Sequence, residues 1–304
     1  MTDMDVGAST SAGTREAASA HAEAIVRLRV IDERLAALGD AGTIGFLPRA
    51  TGREAALVGV IAALSPTDWV FPGASDWPVA ALRGMRLDTF VHRVFADAND
   101  PLRGREAPAG VSARALRIAS SSAPAATHLP HAVGVAWAAR TRGEELACVA
   151  LLDAPEVDAA DFHTALNFAG VMKAPVVFAC RVRAGQAGAA EHAIAYGLFE
   201  ARCDGSDADA VEAALREALE RALRGEGATV LDLELGADDE AHARAVAALG
   251  AERAASLGAR FENELASALA AADRAGRPDL STLFEDVYGE LPEHLRAQLA
   301  EARG

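Results

Sequence analysis

The clearest hydrophobic pattern of the chain is a pair of apolar runs near its middle. Residues 146–152 and 176–180 are each short, apolar and sharply bounded, which is typical of buried β-strands. Residues 162–172 between them favour a helix. A strand, a crossover helix and a second strand predict a βαβ unit in a parallel sheet that is covered on both faces. Ligands of such sheets bind beyond the carboxyl ends of the strands, so residues 153–158 and 181–185 are the predicted functional loops.

The rest of the chain is predicted to be mainly helical, with a few further short strands. These strands are expected at residues 69–71, at residues 201–205 together with a turn, and at residues 229–235. Apolar spacing and breaker residues predict helices over residues 21–38, 53–64, 77–83, 87–96, 127–141, 191–200 and 207–225. The chain after residue 240 shows no further strand pattern and is predicted to be a helical C-terminal extension. Together these patterns indicate an α/β fold with a single domain over residues 21–304.

Composition narrows the range of partners. With 51% hydrophobic residues among 304, the chain can bury a large core. Its net charge of -15 argues against nucleic acid and an anionic membrane as partners, and no apolar run reaches the ~20 residues that span a bilayer. The first twenty residues lack a basic start and an apolar middle, so they predict a disordered tail over residues 1–20 and no signal peptide. Three separated cysteines without metal-ligand spacing fit a reducing, cytoplasmic location.

Five stretches of the chain match the motifs of one enzyme family in the same order. Residues 51–72 resemble a G-Q-E-A segment with its following strand, and residues 120–140 resemble an L-P-x-A-x-G helix. Residues 161–180 match most closely, residues 203–227 match a V-D-G-N-D helix, and residues 283–292 match a C-terminal signature. The family is the α subunit of the thiamine diphosphate-dependent 2-oxo acid dehydrogenases of the pyruvate and branched-chain type. This resemblance implies the thiamine diphosphate-binding fold, a parallel sheet flanked by helices.

The resemblance also implies a chemistry. In this family thiamine diphosphate, anchored by magnesium through its diphosphate, attacks the 2-oxo carbon, accepts electrons during decarboxylation and passes the acyl group to a lipoyl group. The cofactor lies between an α and a β subunit, and the α chain supplies the metal and diphosphate end. Magnesium requires oxygen ligands in octahedral geometry. The family provides them with G-D-G after one strand and N-N after the next.

The chain departs from the family at these cofactor motifs. G-D-G falls on Asp153-Ala154-Pro155, or on Leu152-Asp153-Ala154 if one residue is inserted. N-N falls on Val182-Arg183, and a guanidinium has no lone pair to give a metal. The other family positions that bind the diphosphate end fall on Ala74, Ser75, Ala123 and Gly110, while His242 lies one position late for the last of them. The pattern predicts a scaffold that has lost its cofactor site, so no cofactor is expected.

Two residues remain as candidates for binding. Asp153 is either a surviving metal ligand or part of a solvated turn. Arg183, together with Arg181, is either an anion site where the diphosphate once bound, or the partner of Asp153 or Asp158 in an ion pair that replaces the magnesium. No residue is assigned a catalytic or metal-binding role, because the remaining candidates are better explained by packing, capping or solvation. These are His128, His131, His163, His242, Glu54, Cys148 and Cys180.

These features predict a degenerate α-type subunit, a pseudoenzyme with a structural or regulatory role. Its expected partner is a second copy of itself or a β-type dehydrogenase subunit. One alternative is an active α subunit that uses thiamine diphosphate and magnesium, with a β subunit, for oxidative decarboxylation of a 2-oxo acid. Another is a metabolite-binding protein that uses the Arg181/Arg183 loop.

Overall fold

The computed structural model describes residues 6–121, 124–285 and 287–304, and it contains a parallel β-sheet with helices on both faces. The strands are β1 (Trp69–Phe71), β2 (Cys148–Asp153), β3 (Val176–Arg183), β4 (Phe199–Asp204) and β5 (Thr229–Leu235). The helices are α1 (Val6–Asp40), α2 (Glu54–Ala63), α3 (Pro78–Leu82), α4 (Leu87–Phe95), α5 (His128–Thr141), α6 (Ala160–Met172), α7 (Ala208–Leu223), α8 (Glu240–Leu249), α9 (Ala251–Ala275), α10 (Thr282–Glu285) and α11 (Glu293–Arg303). Short 3₁₀ helices lie at Arg114–Leu116, Ala154–Asp158 and Ala190–Tyr196.

The sheet has the strand order β1-β2-β3-β5-β4, and each pair of neighbouring strands is parallel. The predicted βαβ unit is confirmed as β2, α6 and β3. The α/β fold class is confirmed with it, because the sheet is parallel and flanked by helices. In the register of β2 and β3, Asp153 lies directly opposite Arg181. The two predicted functional loops therefore begin side by side at the same edge of the sheet.

Each central strand is buried on both faces, as expected for a parallel sheet. Alternate side chains of β2 and β3 pack into two separate hydrophobic clusters. Val149, Leu151, Val177 and Ala179 belong to the cluster that includes α2 and α7, whereas Cys148, Ala150, Val176 and Phe178 belong to the cluster that includes α5 and α6. Continuing the alternation by one step places Asp153 and Arg181 on the same face as Val149 and Val177. This shared face brings the two charged side chains together.

Helix α2 packs closely against α7, and Gly59 permits the contact. A Cβ atom at Gly59 would lie 2.5 Å from the carbonyl oxygen of Ala208 and 2.6 Å from Cβ of Val211. We therefore expect Gly59→Ala to lower the free energy of unfolding by about 1–3 kcal/mol, measured by urea denaturation. Gly134 in α5 is the matched control, because no atom lies within 4 Å of its added Cβ. Gly134→Ala should be neutral or slightly stabilising, and equal effects of the two substitutions would contradict the packing argument.

The first helix begins earlier than the sequence pattern indicates. Helix α1 starts at Val6, whereas the predicted helix starts at residue 21 after a disordered tail. Alanine, the strongest helix former, is the most frequent residue just before that predicted start. Residues 1–5 of the predicted tail lie outside the described part of the chain. The boundary at residue 21 and the single domain that follows it stay predictions.

Two other differences concern the ends of strands and helices. Strand β3 extends to Arg183, so the arginines that were assigned to a loop belong to the end of a strand. The helix expected at residues 191–200 is a 3₁₀ helix, Ala190–Tyr196, followed directly by β4. Among the residues that the structure describes, no helix is both long and apolar enough to cross a membrane. The cytoplasmic location stays a prediction.

Candidate functional site

Arg181 is the centre of the site at the carboxyl ends of β1, β2 and β3. Its side chain is charged, yet the residue is only 2% exposed. Nε donates a hydrogen bond of 2.8 Å to Oδ1 of Asp153. Nη1 donates to Oδ1 of Asp76, and Nη2 donates to Oδ2 of the same carboxylate at 3.3 Å. The guanidinium therefore bridges two carboxylates, one at the end of β2 and one in the turn that follows β1.

Asp76 is the innermost of the two carboxylates. It is completely buried in the turn between β1 and α3, where the backbone N–H of Gly73 donates to its Oδ2 at 2.8 Å. A buried carboxylate without a cation is strongly unfavourable, so Asp76 and Arg181 depend on each other. The pKa of Arg181 is raised from its ordinary value: burial alone would lower it, but Asp76 and Asp153 outweigh the burial.

Arg53 supplies a second positive charge to the same cluster. It precedes α2, its Nη1 donates to Oγ of Ser75, and the same nitrogen lies 3.6 Å from Oδ2 of Asp153. Burial would raise the pKa of Asp153, but Arg181 and Arg53 outweigh it and hold that pKa below its ordinary value. Burial, together with the nearby charge of Arg181, lowers the pKa of Arg53. The cluster thus brings the guanidinium groups of Arg53 and Arg181 together with the carboxyl groups of Asp76 and Asp153.

Arg183 lies outside this cluster. Its Nη1 pairs with Oδ1 of Asp238, in the segment between β5 and α8, at 2.7 Å. The hypothesis that Arg183 pairs with Asp153 or Asp158 is wrong in its choice of arginine, because Arg181 forms the pair with Asp153. The reason is the register: Asp153 lies opposite Arg181, whereas Arg183 lies opposite Leu235 at the end of β5 and points to the neighbouring segment.

The predicted metal-ligand position, Asp153, lies in a turn that is held by hydrogen bonds. The backbone N–H of Asp153 donates to Oε2 of Glu156 at 2.8 Å, and the backbone N–H of Ala126 donates to Oε1 of Glu156 at 2.8 Å. Asp153 and Glu156 form a capping box for the 3₁₀ helix Ala154–Asp158. The backbone is thus fixed, and Asp153 directs its carboxylate to Arg181. That Asp153 binds a cofactor stays a prediction.

A cavity of about 870 Å³ lies beside the charged cluster. Its walls come from the end of α1, from residues 46–49 with Thr51, and from Arg53, Arg183 and Asp238. Within this lining, Nε of Arg49 pairs with Oδ2 of the buried Asp32 at 2.9 Å. The cavity thus brings together residues that are far apart in the chain and gives the cluster access to solvent.

The other candidate residues have structural surroundings. Nε2 of His128 contacts the carbonyl oxygen of Leu151 at 2.6 Å, and Nδ1 of His163 contacts the Tyr196 hydroxyl at 2.9 Å. Oε1 of the fully buried Glu54 accepts a hydrogen bond of 2.7 Å from Nε of Arg29. Burial raises the pKa of the Cys180 thiol to about 12, so Cys180 is a protonated, apolar side chain at neutral pH.

Sequence reasoning missed the contributions of Asp76 and Arg53. Neither Asp76 nor Arg53 is among the site residues predicted from the sequence. The available signal was a pair of changes at family positions: Arg53 stands at the glutamine of G-Q-E-A, and Ser75 stands at one of the positions that bind the diphosphate end in the family. The structure shows these changes to be complementary, since Nη1 of Arg53 contacts Oγ of Ser75.

The contacts of these side chains show whether the site can hold a magnesium ion with a diphosphate. Of the family's ligand positions, Asp153 retains an oxygen donor, but Arg181 and Arg53 already surround its carboxylate. Val182 and Arg183 offer no side-chain oxygen where the family has two asparagines. Within the described ranges, no group of three or more His, Cys, Asp or Glu residues could hold a metal ion. The residues present do not fit the magnesium ion.

Comparison with known proteins defines the class of this chain. The family model described as "Dehydrogenase E1 component" matches residues 22–235, which is more than half of the 304 residues. The chain therefore belongs to the dehydrogenase E1 component family. The match confirms the resemblance to the α subunit of thiamine diphosphate-dependent 2-oxo acid dehydrogenases, and with it the thiamine diphosphate-binding fold.

Two relatives with similar sequences are named as α subunits of 2-oxoisovalerate dehydrogenase. The chain is 28% identical over 315 residues to 2-oxoisovalerate dehydrogenase subunit alpha 2, mitochondrial, of Arabidopsis thaliana, covering 90% of this chain and 67% of the relative. It is 35% identical over 217 residues to 2-oxoisovalerate dehydrogenase subunit alpha of Bacillus subtilis, covering 67% of this chain and 66% of the relative. The chain thus spans about two thirds of the length of these relatives. An X-ray structure of a candidate thiamin diphosphate-dependent enzyme from Mycobacterium smegmatis matches 60% of this chain and 32% of its own, with 18% identity and a TM-score of 0.41.

The prediction that no cofactor is expected is wrong. It is overturned by membership of a family that is thiamine diphosphate-dependent. Substituted residues in the cofactor motifs do not by themselves show that the chain has lost the cofactor. The structure supports a narrower statement, namely that the side chains at the metal position do not fit magnesium.

Proposed function

We propose that this chain is an α-type subunit of a 2-oxo acid dehydrogenase E1 component that has a structural or regulatory role and does not complete a catalytic site. The single observation that carries the proposal is the position of Arg181. A permanently charged guanidinium is buried between Asp153 and Asp76, at the strand ends where the family holds its metal. A guanidinium cannot ligate magnesium, and the two cations would repel each other.

The names of the relatives support a β-type partner for this chain. The relatives are α subunits by name, and 2-oxo acid dehydrogenases of this type pair an α with a β subunit. The surface agrees with such pairing. Helices α5 and α6 leave large apolar side chains exposed, with Trp137 at 45%, Phe168 at 46% and Val171 at 77% exposure. Exposed apolar side chains of this size are typical of interaction surfaces, for a second copy of the chain or for a β-type subunit.

An assembly and activity experiment tests the proposal. The full chain is co-expressed with the β-type subunit of the same genome, and association is measured by size-exclusion chromatography. We expect a stable assembly without decarboxylation of pyruvate or 2-oxoisovalerate in the presence of thiamine diphosphate and magnesium. The Bacillus subtilis α subunit with its own β subunit is the control for the assay.

Two results would overturn the proposal. Turnover by the assembly would establish the alternative, an active α subunit, which the family match over residues 22–235 favours. A chain that associates neither with itself nor with the β-type subunit would not be a dehydrogenase subunit at all. Single substitutions at Trp137 and Phe168 to serine should weaken the association, because both remove exposed apolar area.

A further inference from the structure

The two edges of the β-sheet differ in how they are covered. At the β1 edge, Val70 forms a bridge to Ile118, and its backbone N–H donates to the carbonyl oxygen of Arg117 at 3.0 Å. The guanidinium of Arg117 also lies over the ring of Trp69, 5.4 Å from the ring centre. At the other edge, and within the described part of the chain, β4 pairs only with β5. An open edge of this kind is a template for pairing with another strand.

The backbone of β4 presents hydrogen-bonding groups along this open edge. The N–H of Phe199 donates to the carbonyl oxygen of Ala228, just before β5, at 3.1 Å. Because the N–H and C=O groups of successive strand residues point to opposite edges, those of Glu200 and Arg202 point away from β5. Both residues are exposed. All six residues of β4 are in register with β5, so no bulge interrupts the edge.

The side chains of β4 give its two faces different characters. Ala201 and Cys203 pack against the hydrophobic cluster that includes α7. Glu200 and Arg202 lie on the opposite face, because successive side chains of a strand alternate. Among the residues that the structure describes, neither of these two charged side chains has a hydrogen bond or an ion pair. The open edge thus carries one acidic and one basic side chain, two positions apart, that are free to form contacts.

This edge is complementary to an antiparallel copy of itself when a two-fold axis passes through Ala201. Glu200 then lies opposite Arg202 of the second copy, and Arg202 lies opposite Glu200 of the second copy, so two ion pairs form. These residues also exchange their outward N–H and C=O groups, as in an antiparallel ladder. At the axis the small side chain of Ala201 meets its own copy. On the α7 face, Phe199, which is 40% exposed, lies opposite Cys203 of the second copy, so apolar side chains meet there.

The neighbouring registers are less favourable. An axis at Arg202 would place this side chain opposite its own copy, and like charges directly opposite each other are destabilising. An axis at Cys203 would pair Arg202 with Asp204, but Oδ2 of Asp204 already accepts a hydrogen bond of 2.7 Å from Nη1 of Arg244. The axis at Ala201 is therefore the register in which two free charges of opposite sign meet.

We infer that two copies of this chain form a symmetric dimer by antiparallel pairing of their β4 strands, with the two-fold axis at Ala201 and ion pairs between Glu200 and Arg202. The two sheets become one continuous sheet, and the same patch is used on both copies, as in other two-fold interfaces. This surface is separate from α5 and α6, where the proposed function places a subunit contact. The inference goes beyond the proposed function and does not depend on it.

Disulfide cross-linking of the full chain tests the register. Opposite residues at a non-hydrogen-bonded position have Cα atoms about 4.5 Å apart, which a disulfide can bridge. Ala201→Cys in a Cys203→Ser background should therefore give a covalent dimer when it is oxidised with diamide. The wild type should not, because the two copies of Cys203 would lie four residue steps, about 13 Å, apart along the ladder. Ser267→Cys in the same Cys203→Ser background, at an exposed position of α9, is the control for random collision.

Charge reversal tests the ion pairs by analytical ultracentrifugation. Glu200→Arg should weaken dimerisation by at least about tenfold, because both ion pairs become contacts between arginines. Arg202→Glu should have a similar effect through paired carboxylates, and an equimolar mixture of the two variants should dimerise again. Thermal unfolding of each variant checks the fold, since Arg202 lies opposite the buried Asp232 in β5. Glu262→Arg, an exposed position of α9, should leave dimerisation unchanged.

Four outcomes would overturn the inference. A wild-type chain that stays monomeric in the ultracentrifuge would show that the open edge pairs with no second copy. Cross-linking through Cys203 instead of Ala201→Cys would place the axis elsewhere, and a mixture of folded charge variants that stays monomeric would exclude the ion pairs. Loss of the Ala201→Cys cross-link on adding Trp137→Ser would assign the contact to α5 and α6. Persistence of the cross-link in that variant would support the β4 interface whatever the result of assembly with a β-type subunit.

Discussion

Replacing Arg181 with methionine should lower the free energy of unfolding by about 3–5 kcal/mol at pH 7, measured by urea denaturation. Methionine keeps much of the apolar volume of the side chain but removes its charge. Asp76 is completely buried and would lose its cation, and Asp153 would retain Arg53 at 3.6 Å and the Ser75 hydroxyl at 3.4 Å. The loss arises mainly from the buried carboxylate that is left unpaired, because the net contribution of a buried ion pair is itself small.

This destabilisation should depend on pH. The pKa of Asp153 is lowered in the folded protein, so its ion pairs stabilise the fold fully above the unfolded-state pKa of about 3.9. That contribution is lost as the pH falls through the lower pKa of the folded state. Part of the difference between the wild type and Arg181→Met should therefore disappear below about pH 4. A difference that grows as the pH falls would contradict the assignment of Asp153 to the ion pair.

Two control variants separate charge from packing. Asp76→Asn combined with Arg181→Met removes the unpaired carboxylate, so the double variant should regain much of the stability that the single variant loses. Arg183→Met should cost less than about 1 kcal/mol, because Arg183 is 41% exposed and its partner Asp238 is more exposed still. Equal costs for the substitutions at Arg181 and Arg183 would contradict the structure of the cluster.

The sheet could be predicted from the sequence because short, continuous apolar runs indicate strands that are buried on both faces. Residues 146–152 and 176–180 are apolar on both faces, and only a strand covered on both sides requires that pattern. The identity of the buried arginine could not be predicted in the same way. Arg181 and Arg183 both lie at the end of β3 and, two positions apart, on the same face of the sheet, and only the register with β2 decides which of them meets Asp153.

Asp76 illustrates a second limit of sequence reasoning. It lies 105 positions before Arg181, and the two residues meet because β1 lies next to β2 and β2 next to β3. Strand order is a property of the whole domain that no local pattern encodes. The family motifs showed which ligands are missing from the site, but they did not show that Arg53 had taken a position beside Ser75. The wrong prediction about the cofactor has the same origin, since missing residues do not reveal what replaced them.

If Arg181 excludes the metal, its removal should allow a magnesium site to form. The variant for this test carries Arg181→Gln, Val182→Asn and Arg183→Asn in an Asp76→Asn background, which avoids an unpaired buried carboxylate. It removes Arg181 from the carboxylate of Asp153, where Arg53 remains at 3.6 Å, and it supplies two amide oxygens at the end of β3. Magnesium takes such oxygens together with phosphate oxygens and water. We expect magnesium to strengthen pyrophosphate binding by at least about tenfold in this variant, whereas it has no such effect on the wild type.

The informative comparison is a variant that carries only Val182→Asn and Arg183→Asn. It has the asparagine pair of the family, but Arg181 still donates to Asp153 at 2.8 Å in the parent structure. Magnesium should therefore have no effect on pyrophosphate binding in this variant, and adding Asp153→Asn to the full set should abolish the gain there. Titrations in EDTA and in magnesium measure all three proteins in the same way. If the asparagines alone produced magnesium-dependent binding, the buried Arg181 would not be what excludes the metal, and the proposal of an α-type subunit without a catalytic site would lose the observation that carries it.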